Sequence, residues 1–398
     1  MAASNNNTTC AISDSQEQFY YTYAWWLEGI GSIFIATLGM LFNTTAIYVL
    51  CHEKLRSSFF NRLLVCLVIV DNLFLACAIY NVLVMQLLKP NSFTYLFIYV
   101  HLSHPLRNVL MCCSIYMIVG LAYERYNSLL NPHLHRTREN TCGRLVLYVT
   151  SIAMFSILYS IPKFLEKTAK ASTVACNIKP LNEEENLLCK MPLTELRKNH
   201  HYILWYINVS NVMVLGVVPL VLLTFLNYKI YISLKQRLVR RALMIAATVA
   251  SLGQDRNNRE IRHTFVLFAI VALFVLCHAL RIILNIQEFV SLETNDEQHK
   301  QGCPAVSFGE LLAIPFSQLL LEINASTNFF IYCIYDIIFK EVLKSTMQRI
   351  KDGLLRIRDF IHIPNTTRSV EVPQTSSTTY NLSTHKLTCE NIELREVH

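Results

Sequence analysis

Seven long apolar segments constrain the fold of this chain more than any other feature. Each approaches the roughly 20 residues that an α-helix needs to cross the hydrocarbon core of a bilayer. Charged residues make up only 16% of the sequence, whereas soluble domains average about 25%. The sequence therefore predicts an all-α membrane protein with a seven-transmembrane helix bundle over residues 26–336. The segments, which we call spans one to seven, are Trp26–Leu50, Leu63–Leu88, Val100–Tyr123, Leu145–Ile161, Ile203–Tyr231, Phe265–Val290 and Phe308–Tyr335.

Basic residues are concentrated on one side of this bundle. The loops after spans one, three and five are rich in lysine and arginine, most of all the segment Lys229–Arg262, whereas Glu288–Glu297 on the opposite side is acidic. Because positively charged loops stay in the cytosol, residues 1–25 are predicted to be an extracellular amino terminus. The net charge of +7 follows from this topology and does not indicate nucleic-acid binding.

The chain beyond span seven divides into two parts. Residues 337–360 place apolar residues at helical spacing opposite basic ones, which predicts a short amphipathic helix on the membrane surface. Residues 361–398 are rich in Ser, Thr and Asn and have little to bury, so they are predicted to be a disordered cytoplasmic tail.

Modification sites are expected on the extracellular side. Asn6 and Asn7 each begin an Asn-x-Ser/Thr sequon in the predicted amino-terminal segment. An even number of cysteines faces the same oxidising side, which allows two disulfides in three pairings. The pairings that we favour are Cys176 with Cys189 and Cys10 with Cys303.

Several spans contain polar residues that would lie inside the membrane. Such side chains are costly there, so each is expected to have a partner or a function. A lone intramembrane aspartate could be a proton relay or a helix-packing contact. The triplet Glu124-Arg125-Tyr126 closes span three and opens a basic loop. Five further residues can coordinate a cation or a group of waters: Asn43, Asp71, Ser114, Asn324 and Asn328.

These residues together resemble the rhodopsin-like (class A) G-protein-coupled receptors. The five polar side chains are similar to the sodium and water cluster of that family, and the triplet is similar to its D/E-R-Y motif. The resemblance covers roughly residues 26–345 and implies an allosteric sodium ion. It implies a transmission group beneath the ligand pocket, namely Ile115, Pro219, Phe274 and His278. It assigns the switch and G-protein coupling to Glu124, Arg125, Tyr126, Glu260, Tyr332 and Pro132.

Two of these assignments carry a physical expectation. The family often places an acidic residue before span six as a partner for the arginine of the triplet, so the resemblance implies a resting pair of Arg125 with Glu260. At the wet edge of the membrane such a pair is worth on the order of 1 kcal/mol. Pro219 lacks a backbone donor, which permits a local bulge in span five.

Three departures from the family pattern indicate a particular subgroup of the family. Span seven reads Asn328–Tyr332 as N-F-F-I-Y in place of N-P-x-x-Y, so the proline kink is expected to be absent. Span six reads Cys277–Leu280 as C-H-A-L in place of C-W-x-P, and Val100 stands where span three usually has a cysteine. With the strings Tyr159–Glu166 and Pro192–Arg197, these features resemble the FMRFamide-receptor-like group of invertebrate neuropeptide receptors.

The resemblance also predicts the character of the ligand pocket. Arg107 stands where aminergic receptors have a carboxylate, and the outer half of span seven has no lysine for retinal, so neither an amine receptor nor an opsin is expected. A peptide ending in Arg-Phe-amide needs a carboxylate for its arginine. Glu322 and Glu288 are the candidates, although Glu322 could instead pair with Arg107 or Arg281. The predicted pocket comprises Arg107, Asn108, Glu166, Arg281, Glu288 and Glu322.

The sequence thus predicts a multi-pass plasma-membrane receptor for an extracellular neuropeptide. Its expected partners are a heterotrimeric G protein, arrestin and membrane lipid, and span six is expected to swing outward on activation. The alternatives are a chemosensory seven-span receptor for a small molecule and a seven-span channel. No Gly-rich phosphate loop or nucleophile elbow occurs, so no enzyme is predicted. No metal site is predicted either, because the pairs His101/His104 and His200/His201 lack carboxylate partners.

Overall fold

The computed structural model describes residues 14–84, 93–130, 141–168, 194–245, 254–290 and 307–361. The chain divides into two units, residues 1–347 and 348–398, and the end of one helix is the described part of the second. Asn6, Asn7, Pro132, the tail from residue 362 and the four predicted disulfide cysteines lie outside the described residues. The side chains of Glu260 and Glu288 also lie outside the description.

All seven spans are helical, which confirms the predicted fold class. Span one comprises Asp14–Ala24, a π-helical segment Trp25–Gly31 and Ser32–Leu50; span two is Phe59–Val82. Span three comprises Phe93–Ile98, a π-helical segment Tyr99–Ser103 and His104–Leu130. Span four is Thr141–Ser160 followed by a 3-10 turn, Ile161–Leu165. Span five comprises His200–Tyr202, π-helical segments Ile203–Ser210 and Val212–Val217, and Val218–Ile245. Span six is Gln254–Val290, and span seven is Phe308–Ser326 with Asn328–Tyr335.

Three shorter or peripheral helices complete the described structure. Glu53–Arg56 lies between spans one and two, and Glu195–Lys198 precedes span five. The predicted surface helix is present as Ile337–Ile361. Its start is fixed by Asp336, whose Oδ1 accepts hydrogen bonds from the backbone N–H groups of Ile338 (3.0 Å) and Phe339 (3.3 Å). This N-cap separates the surface helix from span seven.

Several helices are longer than the apolar segments from which they were predicted. In the described ranges, six helices are long and apolar enough to cross a membrane. Span seven is cut into pieces of 19 and 8 residues, and the longer piece contains Glu310 and Glu322. Span three continues to Leu130, so the triplet at Glu124 lies inside the helix and does not open a loop. Its first two side chains, Glu124 and Arg125, are buried.

Span seven has no proline in its N-F-F-I-Y string, yet the helix is interrupted at Thr327. The Thr327 hydroxyl donates to the carbonyl oxygen of Ile323 (2.8 Å), the kind of bond that bends helices. In addition, Asn43 Nδ2 donates to the carbonyl of Ala325 (2.8 Å). In an unbroken helix that carbonyl would accept from the N–H of Phe329. A side chain of span one therefore competes for a backbone acceptor at the break.

The order of packing closes the seven spans into a bundle. Span one packs on two, two on three, and three on both four and five, while six packs on seven and seven returns to one. One close approach involves Gly39 of span one: a Cβ built there would lie 2.9 Å from Leu75 Cδ1 and closer still to Ser326 Oγ. Only glycine lets spans one, two and seven approach this closely.

The apolar core is unevenly distributed along the bundle. Its largest part surrounds Leu67, Leu121 and Phe274, towards the ends of spans one and three, whereas a small cluster around Phe74 and Leu110 lies nearer their beginnings. Many large apolar side chains are exposed on the outside of the helices, among them Phe34, Leu41, Leu158, Val221 and Leu276. Such a surface suits lipid and would be unstable in water.

Candidate functional site

The described polar residues form three groups along the bundle. We call the end where spans one, three, five and seven begin the N-side, and the opposite end, where span three ends, the C-side. One group lies in the middle around Asp71, one at the N-side around Glu322 and Glu166, and one at the C-side around Glu124. All four carboxylates are buried. A carboxylate buried in the membrane needs donors or cations around it.

The middle group joins spans two, three and seven. Ser114 Oγ donates to Asp71 Oδ1 (2.7 Å), and Asn328 Nδ2 donates to Asp71 Oδ2 (2.7 Å). Each carboxylate oxygen therefore has a neutral partner on a different helix, and no cationic side chain within the described residues forms an ion pair with Asp71. The structure thus brings together three of the residues predicted from sequence to form the cation and water cluster.

A small cavity adjoins Asp71. The space available to the centre of a water-sized sphere is about 10 Å³, close to the minimum that holds a single water. Asn324, Ser114 and His278 contribute to its lining. A carboxylate, a hydroxyl and an amide supply the oxygen ligands that a hard cation prefers, so these residues fit the sodium ion implied by the resemblance.

Asn43 occupies a different position from the other predicted members of this cluster. Its Nδ2 is bound to Ala325 O, as described above, and its buried Oδ1 has no hydrogen-bond partner in the described structure. The residue does not line the cavity at Asp71. Its described contact links span one to the backbone of span seven.

The four predicted transmission residues lie below the N-side. Ile115 and Phe274 are buried in the same apolar core. The ring of His278 is 4.3 Å from that of Phe274, and His278 also lines the cavity at Asp71. Pro219 follows the π-helical segment Val212–Val217 in span five. The helix is therefore irregular immediately before the proline, where one backbone donor is missing.

At the N-side, span three is joined to span seven by an ion pair. Arg107 Nη2 lies 3.2 Å from Glu322 Oε1 and donates to Gln318 Oε1 at 3.1 Å. The guanidinium carbon is 5.1 Å from the ring centre of Phe74. Glu322 Oε2 is buried and has no hydrogen-bond partner among the described residues. The internal pair considered from sequence is present, and it uses only one of the two carboxylate oxygens.

A second N-side network surrounds Glu166 at the end of span four. Glu166 Oε1 accepts from Lys163 Nζ (2.8 Å) and from Tyr202 OH (2.9 Å). The backbone N–H of Thr194 donates to the carbonyl of Glu166 (3.1 Å), which ties the segment before span five to span four. Arg281 of span six lies close enough to Lys163 to interact electrostatically. Glu166 and Arg281 thus belong to one charged region.

Aromatic side chains line the junction of spans three, four and five. Tyr206 OH donates to the carbonyl of Tyr159 (2.7 Å), and the ring of Tyr206 stacks on that of Tyr202 at 5.1 Å. Tyr159 OH donates to Asn211 Oδ1 at 2.9 Å. Asn108, predicted to face the ligand, donates instead to the carbonyl of His104 in its own helix (2.9 Å). Tyr159, Tyr202 and Tyr206 therefore form an aromatic surface at the N-side ends of spans four and five.

At the C-side, the triplet contacts span two and span four. Glu124 Oε1 lies 3.1 Å from Arg144 Nη2, and the guanidinium carbon of Arg144 is 4.0 Å from the ring centre of Phe59. Arg125 lies over the ring of Phe60 with its guanidinium carbon 3.8 Å from the ring centre. The expected pair of Arg125 with Glu260 stays a prediction, since the side chain of Glu260 is outside the description.

Tyr332 lies near the end of span seven, and its hydroxyl is buried at the C-side. Its ring packs against Phe339 of the surface helix at 5.7 Å between ring centres. Its hydroxyl is buried without a hydrogen-bond partner in the described part of the chain. Tyr126, the last residue of the triplet, is half-buried against the apolar core.

Sequence reasoning did not identify four of the residues in these networks. Arg144 and Gln318 were missed as partners of Glu124 and Glu322, and Lys163 and Lys167 were not assigned to the pocket. Arg144 and Lys163 lie next to the ends of span four, where basic residues are usually attributed to topology. The useful signal for Lys163 was its position three residues before Glu166, a spacing that places two side chains together on a helical turn.

Two comparisons relate the chain to known proteins. A model of the family "7 transmembrane receptor (rhodopsin family)" matches residues 42–332. The chain is 27% identical over 326 residues to the FMRFamide receptor of Drosophila melanogaster, an alignment that covers 80% of this chain. It covers 53% of that receptor, so the chain spans about half the length of the relative.

Proposed function

Because the chain belongs to the rhodopsin family of seven-transmembrane receptors, we propose that it is a plasma-membrane receptor for an extracellular neuropeptide. In this proposal the N-side is extracellular, the C-side is cytosolic, and a heterotrimeric G protein binds at the C-side. The similarity to a receptor named for FMRFamide supports a ligand that ends in Arg-Phe-amide. The basic C-side loops support the orientation through the positive-inside rule.

One observation carries the choice of a cationic peptide. Glu322 is 3% exposed, its Oε1 binds Arg107, and its Oε2 has no partner within hydrogen-bond distance among the described residues, although the Ser32 side chain lies nearby. An incoming guanidinium can bind the second oxygen without breaking the first contact. Charge-assisted hydrogen bonds of this kind are roughly twice as strong as neutral ones. The tyrosines at the junction of spans four and five offer an aromatic surface for the phenylalanine.

The proposed mechanism is a population shift between two packings of the helices. A ligand moves such an equilibrium only by binding one state more tightly than the other. Binding at Glu322 involves spans three and seven, which also hold the two donors to Asp71. We propose that this favours a state in which span six swings outward and opens a C-side crevice for the G protein. Arrestin and membrane lipid are further proposed partners at the same side.

A sodium ion at Asp71 is proposed as an allosteric ligand of the resting state. The oxygen groups of Asp71, Ser114 and Asn324 would hold it, and its charge would offset that of the buried carboxylate. A ligand that binds one state and excludes the other changes agonist affinity reciprocally. Sodium is therefore expected to oppose the peptide.

The test is a calcium-release assay in cells that express the receptor with a promiscuous G protein. A panel of amidated neuropeptides, including RF-amides, is expected to contain one with a saturable, sub-micromolar response. Arg125→Ala is expected to abolish signalling while labelled peptide still binds at the cell surface. Silence of the whole panel, with surface expression confirmed, would contradict the neuropeptide proposal.

The alternatives predict different topology or ligands. A seven-span channel of the insect chemoreceptor type has its amino terminus in the cytosol, so an epitope at residue 2 would be inaccessible on intact cells. A chemosensory receptor for a small molecule would respond to compounds that lack a guanidinium. Labelling of the epitope on unpermeabilised cells separates the first alternative from our proposal.

A further inference from the structure

A group of cationic side chains lies at the N-side end of span four, apart from the pair at Glu322. Lys163 belongs to the 3-10 turn Ile161–Leu165, Lys167 follows it, and Arg197 belongs to the short helix Glu195–Lys198. We call these three residues the cation cluster. Positive charge acts between all of its members, since Arg197 interacts electrostatically with both lysines.

The carboxylate within the cluster is already engaged. Glu166 binds Lys163 at 2.8 Å and Tyr202 at 2.9 Å through the same oxygen. The carboxylate of Glu166 thus faces three half-buried cations. Like charges held together in such a place destabilise each other unless an anion joins them.

Lys167 is the member that most needs a further partner. Its Nζ lies 3.4 Å from His104 Nε2 and 5.9 Å from the ring centre of Tyr99. No described carboxylate lies within 4.0 Å of it, although an ammonium group has three N–H donors. Burial lowers the pKa of Lys167; Glu166 opposes this shift, and Arg197 and Lys163 add to it.

We propose that the cation cluster binds an acidic residue of the peptide ligand, so that the receptor selects peptides carrying opposite charges at separate positions. This inference rests on the proposed function. Because the arginine and the amidated phenylalanine form the carboxyl end of the peptide, the acidic residue lies on the amino-terminal side of Phe-Met-Arg-Phe-amide. Glu322 binds the cation and the cluster binds the anion.

The probes are synthetic peptides in which Phe-Met-Arg-Phe-amide is extended by three residues at its amino end. One added position at a time carries Asp, Asn or Lys, and the others carry Gly. Dose–response curves are measured for the full chain and for Lys167→Gln, Lys167→Arg and Lys167→Glu at matched surface expression. Lys54→Gln, which changes an exposed C-side lysine, is the matched control.

At one position, the Asp peptide is expected to be about tenfold more potent than the Asn peptide on the wild type and on Lys167→Arg. On Lys167→Gln this ratio falls to about one, while the potency of the Asn peptide changes less than twofold. The Lys167→Glu variant is expected to respond more strongly to the Lys peptide than to the Asp peptide. A merely structural role for Lys167 would not reverse this preference.

Three results would overturn the inference in distinguishable ways. Peptides that activate the wild type with equal Asp and Asn potency at every position would leave the proposed function standing and remove the acidic subsite. Equal losses for both peptides on Lys167→Gln would assign Lys167 a structural role. If discrimination appears only after Glu183, Glu184 and Glu185 are changed to Gln, the chain's own acidic loop occupies the cluster. Failure of every peptide on the wild type would instead reject the proposed function itself.

Discussion

Two arginine–glutamate pairs connect span three to its neighbours at opposite sides of the bundle. Arg107 with Glu322 joins it to span seven at the N-side, and Glu124 with Arg144 joins it to span four at the C-side. In both pairs the described contact is 3.1–3.2 Å long, the glutamate side chain is 4% exposed, and the arginine lies over a phenylalanine ring. Their local chemistry is nearly the same.

The pairs differ in what surrounds them. The C-side pair is embedded in the large apolar core, and Arg144 lies close to its ring at 4.0 Å. The N-side pair lies near the small core cluster, its ring is 5.1 Å away, and Glu322 Oε2 has no hydrogen-bond partner in the described structure. The same kind of ion pair therefore lies in the large apolar core at one side and beside a much smaller cluster at the other.

The largest expected effect comes from breaking the C-side pair. Arg144→Ala leaves Glu124 as a buried charge without this cation, and the expected cost is about 3 kcal/mol of unfolding free energy. Thermal unfolding of the purified receptor in detergent measures it. Arg144→Ala combined with Glu124→Gln should recover at least half of the loss, because the charge is removed; no recovery would show that packing of Arg144 on Phe59 dominates.

The next effect should appear in ligand selectivity and only at the N-side. Glu322→Gln is expected to reduce the potency ratio between an RF-amide peptide and its citrulline analogue about tenfold, which corresponds to roughly 1.4 kcal/mol. The amide oxygen can still accept from Arg107, so the loss of stability should be smaller than for Arg144→Ala. Glu124→Gln is the comparison variant and should leave the ratio unchanged. A loss of ratio in both variants would refute direct pairing at Glu322.

Asp71 adds a third buried carboxylate to the comparison of Glu322 with Glu124. Unlike those two, it has neutral partners. Asp71→Asn preserves its shape but removes the charge that would hold a cation. Replacing sodium with a bulky organic cation is expected to raise agonist affinity several-fold in the wild type, by a coupling of about 1 kcal/mol. Radioligand competition should show no such shift for Asp71→Asn. An unchanged shift in this variant would place the sodium effect elsewhere.

The smallest expected effect distinguishes the two rings. Phe59→Leu should lower the unfolding free energy by about 0.5 kcal/mol more than Phe74→Leu, because a nearer guanidinium gains more from the ring face. Thermal unfolding of the two variants in parallel measures the difference. In the Arg144→Ala background the extra loss should vanish; if it persists, the two positions differ in packing and not in cation–π contact.

The sequence predicted what depends on composition and helical spacing. The seven spans and the surface helix follow from apolar length and helical spacing. The meeting of Asp71 with Ser114 and Asn328 was implied by the resemblance to class A receptors. The bounds of span seven, Phe308 to Tyr335, agree with the structure.

Side-chain partners between helices were harder to predict. Whether Glu124 meets Arg144 depends on the rotation and tilt of spans three and four, which the apolar pattern of each span does not specify. The break at Thr327 arises from hydroxyl and amide hydrogen bonds, which the presence or absence of a proline does not reveal. The two amide groups of Asn43 and Asn108 bind backbone carbonyls, a choice that residue type alone does not reveal.

The interruption at Thr327 has a consequence for how span seven can move. A proline removes one helical hydrogen bond permanently, since its nitrogen carries no hydrogen to donate. Phe329 keeps its N–H, so this joint can close when Asn43 releases the carbonyl of Ala325. Closing this joint would rotate the segment that contains Asn328 and Tyr332 about the helix axis by a fraction of a turn. The last third of span seven would then have two rotational positions, and one side chain of span one, Asn43, would select between them.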